Sequence, residues 1–114
     1  MDTAQTVQAL RALSHDVRLA AYRALIQAGP EGMPVGSLRD LLGLPAATLT
    51  AHLNQLRQAG LVSDQREGRV IRLRADYERM NALIGFLTEN CCGGQACAPT
   101  ACAKQPDTDK AGTQ

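Results

Sequence analysis

Three observations predict a mainly helical domain carrying one β-hairpin. Leucine recurs at helical spacing in several stretches punctuated by Gly and Pro. Aromatics are limited to Tyr22, Tyr77 and Phe86, with no Trp, so Leu and Ala must build the core, and both favour helices. One segment near residue 70 instead alternates apolar and Arg residues with period two, the pattern of a half-buried strand. The 114 residues suit a single domain with one modest core. With 45% hydrophobic and 20% charged residues, the bulk reads as globular rather than disordered.

In chain order, residues 3–13 carry Val7, Leu10 and Leu13 and form a first helix. Ser14 or Asp16 caps a second helix to about residue 28, with Val17, Ala21, Tyr22, Leu25 and Ile26 on one broad face. Gly29-Pro30 ends it and opens a loop through Pro34. A short third helix follows, with Val35, Leu38, Leu41 and Leu42 at helical spacing. Gly43-Leu44-Pro45 breaks it, and Pro45 suits the start of a fourth. There Leu49, Leu53 and Leu56 recur at i, i+4, i+7, until Gly60 stops the helix. Two helices joined by a short Gly-containing turn form the outline of a helix-turn-helix. Residues 61–66 and 69–75 read as strands around Glu67-Gly68, a wing placed directly after that unit. Asp76 caps a last helix to about residue 90, carrying Tyr77, Met80, Leu83, Ile84 and Leu87.

Between Met80 and Thr88 this last helix has no charged residue, so most of its circumference needs cover. In so small a domain, the cover expected is a second copy of the chain, with the first helix contributing. The fold predicted is therefore a winged helix-turn-helix, homodimeric through its first and last helices.

Residues 12–90 resemble the ArsR/SmtB family of winged-helix repressors. The resemblance is carried by A-L-S-H-D-V-R-L at 12–19, A-T-L-T-A-H-L-N-Q-L-R-Q-A-G-L-V at 47–62 and R-E-G-R-V-I-R-L at 66–73. It implies a homodimer that represses its own operon and leaves DNA on binding a metal or metalloid. Two sensor sites of the family are absent. Where one arsenic site has Cys-x-Cys-Asp-Leu, this chain reads Pro34-Val35-Gly36-Ser37-Leu38. The zinc version uses Asp and His on the last helix, which here has Asp76 and Glu78 at its start and no His. What remains is N-C-C-G-G-Q-A-C after the last helix, which looks like the C-terminal site of a third, arsenic-responsive group.

The face opposite Leu49, Leu53 and Leu56 carries Ala47, Ala51, Asn54 and Gln58, flanked by Thr48, Thr50 and Gln55. Residues near the start of a recognition helix reach base edges, so Ala47, Thr48, Thr50, Ala51 and Asn54 are the base-contact candidates. Their methyl groups suit the thymine methyl and Asn pairs with adenine, which predicts an A·T-leaning half-site. The net charge is only +1, which excludes a strongly basic coat but not a local patch. Arg66, Arg69, Arg72 and Arg74 supply such a patch in the wing, and Arg39 and Arg57 add phosphate candidates. His52 sits at the edge of the packed face, open to either a buried hydrogen-bonded role or a DNA contact. His15 reads as a capping-region residue.

All four cysteines, Cys91, Cys92, Cys97 and Cys102, fall within twelve residues near the C-terminus. No apolar run is long enough to span a membrane, and the N-terminus lacks a signal-peptide pattern. A cytoplasmic chain without a membrane partner is expected, and clustered thiols there suggest metal, metalloid or redox chemistry. Zinc fits poorly: adjacent Cys91-Cys92 is awkward for a tetrahedral site, and no Lys, Arg or His between Met80 and Ala103 balances a doubly negative centre. Trivalent arsenic, As(III), is soft and takes three thiolates in a neutral product. Gly93-Gly94 permits the bend that brings in Cys97, so Cys91, Cys92 and Cys97 are the expected ligands, with Cys102 a substitute third. Methylarsenite held by Cys91 and Cys92, antimonite (Sb(III)) and thiol oxidation are the competing inducers. No acid/base pair, phosphate loop or Cys-x-x-Cys spacing points to an enzyme. The expected organisation is a DNA-binding and dimerisation domain at 1–90, a metalloid-binding segment at 91–102 and a polar, disordered tail at 103–114.

Overall fold

The computed structural model describes residues 1–89. Its elements are α1 (Thr3–Leu13), α2 (Asp16–Ala28), β1 (Met33–Pro34), α3 (Val35–Leu42), α4 (Ala46–Gln58), β2 (Val62–Glu67), β3 (Val70–Ala75) and α5 (Tyr77–Leu87). The expected winged helix-turn-helix is present, with α3 and α4 as the helix pair and β2–β3 as the wing.

Asp2 starts α1 through a reciprocal box: its Oδ1 accepts from the Gln5 amide at 2.8 Å, and Gln5 Oε1 accepts from the Asp2 amide at 3.1 Å. The helix buries Thr6, Ala9 and Ala12, a stripe of small residues packed on α2 and α4. The larger Val7 and Leu10 point outward. Thr6 satisfies its buried hydroxyl by donating to the Asp2 carbonyl at 2.8 Å.

The cap of α2 is His15, in line with its reading as a capping-region residue, and not Ser14 or Asp16. His15 occupies the N-cap, its Nδ1 accepting from the Val17 amide at 3.1 Å, while Asp16 is already in the first turn. Ser14 instead donates to the Arg11 carbonyl at 2.8 Å and closes α1. The buried face of α2 is Ala21, Tyr22 and Leu25, with Ile26 half-buried.

The stretch expected as loop through Pro34 contains a third strand. β1 pairs antiparallel with β3 (Met33 with Leu73, Pro34 with Arg72), giving the sheet order β1-β3-β2. Gly32 makes this possible: its φ is 68°, and a Cβ there would overlap the Leu73 carbonyl. β3 is thus the central strand, with Leu73 and Ala75 buried and Arg72 and Arg74 on the other face. The hairpin register runs from Val62 with Ala75 to Glu67 with Val70, so the turn is Gly68-Arg69, one residue later than expected.

Leu25, Leu38, Leu49, Leu53, Leu56, Leu61, Leu73 and Tyr22 are fully buried and knit α2, α3, α4 and the sheet together. Tyr22 fills this core, but its hydroxyl has no hydrogen-bond partner among the described residues. Burial, reinforced by Asp76 and Tyr77, pushes its pKa up to about 12. α5 starts on the Asp76 cap, whose Oδ1 accepts from the Arg79 amide at 2.9 Å. The Tyr77 hydroxyl then donates to the Ile26 carbonyl at 3.0 Å, anchoring α5 to α2. α5 ends at Leu87, earlier than expected, as Thr88 bonds back to Ile84 through both amide and hydroxyl. It packs beside α1, buries only Leu83 and leaves Ile84 and Leu87 outward.

Candidate nucleic-acid interface

The turn between α3 and α4 is set by Gly43 in the left-handed region (φ 66°, ψ 35°), its amide donating to the Arg39 carbonyl at 2.8 Å. Leu49, Leu53 and Leu56 then seat α4 on the core with its opposite face outward. Ala47, Thr48, Thr50, Ala51 and Asn54 are all exposed there, as are Gln55 and Gln58. The structure therefore brings the five base-contact candidates together on one accessible helix face. The end of α4 is tied to α1 by Gln8, whose Nε2 donates to the Gln58 carbonyl at 3.1 Å.

The arginines separate into two groups. Arg66 and Arg69 are exposed at the wing tip, and neither forms an ion pair among the described residues. Arg39 is exposed in the last turn of α3. Arg72, grouped with the wing contacts on sequence grounds, is committed inside the molecule. Its Nε donates to Glu67 Oε1 at 3.1 Å and an Nη to the Glu31 carbonyl at 3.3 Å. Arg57 is similarly engaged: Nε donates to Asp64 Oδ1 at 2.9 Å and an Nη donates to Asn54 Oδ1 at 2.7 Å. Asp64 drew no attention in the sequence. Its signal would have been an acid at the start of the wing, seven residues after a basic residue at the end of the preceding helix.

His52 is half-buried and faces His15, with ring centroids 4.7 Å apart and planes tilted by 49°. Partial burial lowers its pKa, helped by His15 and Arg18 and opposed by Asp16. The pair joins the start of α2 to the middle of α4.

Among the described residues, no cluster of three His, Cys, Asp or Glu side chains can hold a metal ion, and no helix is long and apolar enough to cross a membrane. Cys91, Cys92, Cys97 and Cys102 lie outside the described residues, the first of them four positions past the end of α5.

A helix pair presenting a small, polar outer face beside a hairpin tipped with arginines defines a winged helix-turn-helix DNA-binding protein. A family model described as a helix-turn-helix domain matches residues 13–65. The chain is 33% identical over 88 residues to the HTH-type transcriptional regulator YgaV of Escherichia coli K12, covering 77% of this chain and 87% of that protein. The ArsR-like transcriptional regulator of Rhodococcus sp. RHA1 superposes with a TM-score of 0.68 at 27% identity, over 80% of this chain and 83% of that one. A Mycobacterium bovis fragment, described as a homodimeric winged helix-turn-helix domain of a possible ArsR-family regulator, gives a TM-score of 0.61. It is 24% identical, over 81% of this chain and 85% of that one, and so speaks for the fold alone. The chain belongs to the ArsR/SmtB family of winged-helix transcriptional regulators, DNA-binding proteins rather than enzymes.

Proposed function

We propose that this regulator is an arsenite-responsive repressor, binding operator DNA as a homodimer and released when As(III) binds its C-terminal thiols. The observation that carries the reading is the Cys91, Cys92 and Cys97 group, which directly follows the helix expected to form the dimer seam. Arsenous acid and three thiols give a trithiolate and three waters, a neutral product that needs no compensating cation. Cys102 is the alternative third ligand. The dimer is supported by the outward Val7 and Leu10 of α1 beside the outward Ile84 and Leu87 of α5.

The DNA-reading residues are Ala47, Thr48, Thr50, Ala51 and Asn54 on α4 and Arg66 and Arg69 on the wing, with Arg57 and Arg72 held in reserve by their carboxylate partners. Ligand and DNA compete through the dimer. Two recognition helices must lie about 34–36 Å apart to enter successive major-groove half-sites. Folding residues 91–97 around arsenic pulls on the end of α5 and favours a protomer arrangement with a different spacing. Only such a difference in affinity between two arrangements couples the sites.

The test measures operator binding by the full chain and by each Cys→Ser variant, with arsenite, methylarsenite, antimonite, zinc or peroxide added. Arsenite is expected to release wild-type protein from DNA, and Cys91→Ser and Cys92→Ser to abolish the response. Tight arsenite binding with unchanged operator affinity defeats the coupling. Release by peroxide with no response to arsenite identifies a thiol-redox regulator instead.

A further inference from the structure

Strand register decides where Asp64 points. It sits opposite Leu73 in the β2–β3 pairing, so its side chain leaves the sheet on the face turned to the helices, the reverse of the face carrying Arg72. There it meets the end of α4: Arg57 Nε donates to Asp64 Oδ1 at 2.9 Å, and an Nη of the same guanidinium donates to Asn54 Oδ1 at 2.7 Å. With Arg39 and Thr50, this pair lines an open cleft between the recognition helix and the wing. Asp64 is the one acid among the described residues that line it. Arg39, by contrast, forms no ion pair among the described residues.

With α4 in the major groove and the wing on the DNA beside it, the phosphate strand bordering that groove runs over this cleft. Arg39 is free to meet it. Arg57 is not, because leaving Asp64 for a phosphate exchanges one charge-assisted bond for another of the same kind and so gains little. The carboxylate also repels the phosphate directly, an effect that salt screens only over about 10 Å at 0.1 M. We propose that Asp64 is an affinity-limiting residue, which withholds Arg57 from the DNA backbone and so keeps binding one phosphate contact below what the arginines of the cleft can supply. The inference rests on the reading of α4 and the wing as the DNA-binding surface.

The test measures binding of the full chain to a fluorescein-labelled duplex of random sequence, by anisotropy over a series of salt concentrations. Such DNA reads the phosphate contacts without a known operator. The variants are Asp64→Ala, Asp64→Asn, Arg57→Met and the double variant Asp64→Ala/Arg57→Met. An exposed ion pair adds little to stability, so all are expected to fold, as far-UV circular dichroism will check. Asp64→Ala is expected to bind about 3- to 10-fold more tightly than wild type at about 0.1 M salt, and to steepen the slope of log K against log salt by about 0.9, one phosphate. Asp64→Asn, the same shape without the charge, is expected to move both quantities in the same direction. Arg57→Met is expected to cost more affinity in the Asp64→Ala chain than in the wild type, and to return the slope there to the wild-type value. The inference is overturned if both Asp64 variants bind no more tightly than wild type, or if the slope stays unchanged. It is equally overturned if the whole gain persists in the double variant, since the gain then owes nothing to Arg57. A wild-type chain that binds DNA while these variants fail in this way loses this inference alone. A chain that binds no duplex in any form removes the DNA-binding reading itself, and this inference with it.

Discussion

Truncating Ile84 to alanine probes the proposed dimer seam, to which the outward apolar side chains of α1 and α5 are assigned. Ile84 is 51% exposed and Leu87 56%, with Val7 at 40% and Leu10 at 42% on the neighbouring helix. Burying an aliphatic side chain completely is worth about 1.5–3 kcal/mol, so a half-exposed one has roughly 0.8–1.5 kcal/mol left to gain. A twofold interface uses each residue twice, doubling this to about 1.5–3 kcal/mol per position. Alanine keeps its Cβ, so the loss on substitution is about 1–2 kcal/mol, or a dimer weakened roughly 5- to 30-fold. Alanine is also the better helix former, which leaves no reason for the monomer to unfold. Sedimentation equilibrium on wild-type protein, Ile84→Ala, Leu87→Ala and the double variant reads the dissociation constants, while circular dichroism verifies helix content. The two sites are one turn apart, so the double variant should depart from simple additivity. A wild-type chain that dimerises while all three variants keep its dissociation constant within about twofold places the seam elsewhere. A chain monomeric at every concentration disposes of the dimer.

The two groups of arginines should differ in the salt dependence of operator binding. Arg66→Ala and Arg69→Ala are each expected to reduce the slope of log K against log salt by about 0.9, one phosphate apiece. Arg72→Ala should reduce it far less, because its guanidinium is held by Glu67 and the Glu31 carbonyl; equal slopes for all three would refute the division. Tyr22→Phe preserves the buried ring and removes a hydroxyl without a partner among the described residues, so stability at neutral pH should stay within about 1 kcal/mol of wild type. Because the folded-state pKa of Tyr22 lies near 12, above the unfolded value of 10.0, the unfolded chain releases this proton first. Stability is then fully present below pH 10 and falls as pH rises toward 12, a limb that Tyr22→Phe should flatten in thermal melts. An unchanged limb would show that other groups cause the alkaline loss.

The parts of this molecule set by local periodicity were legible in the sequence. Leu49, Leu53 and Leu56 define the inner face of α4, and that alone assigns the outer face carrying Thr50, Ala51 and Asn54. The Asp76 cap and the alternating β3 were equally plain. What escaped depends on partners distant in the chain. β1 has two residues, one of them proline, and exists because Gly32 lies against Leu73, about forty positions away. The buried stripe of α1 is Thr6, Ala9 and Ala12 because α2 and α4 approach closely, while the larger Val7 and Leu10 find no room there. Residue type alone made Arg57 and Arg72 equivalent to Arg66 and Arg69; only the fold supplies Asp64 and Glu67 as their partners.

The small-residue packing of α1 also determines where this molecule can yield. Ala9 is fully buried and Ala12 nearly so, and Gln8 adds its bond to the last turn of α4. Close-packed alanines leave no slack through which one helix can slide over another without a clash or a void. Within a protomer, the reading head is therefore welded to the helix that bears the outward Val7 and Leu10. In the proposed dimer the compliant joint is the junction between copies, where the outward side chains of one protomer are half-exposed and no hydrogen bond of the protomer is at stake. A tilt of a few degrees at that joint is multiplied by the distance out to α4, like a hinge moving the far edge of a door.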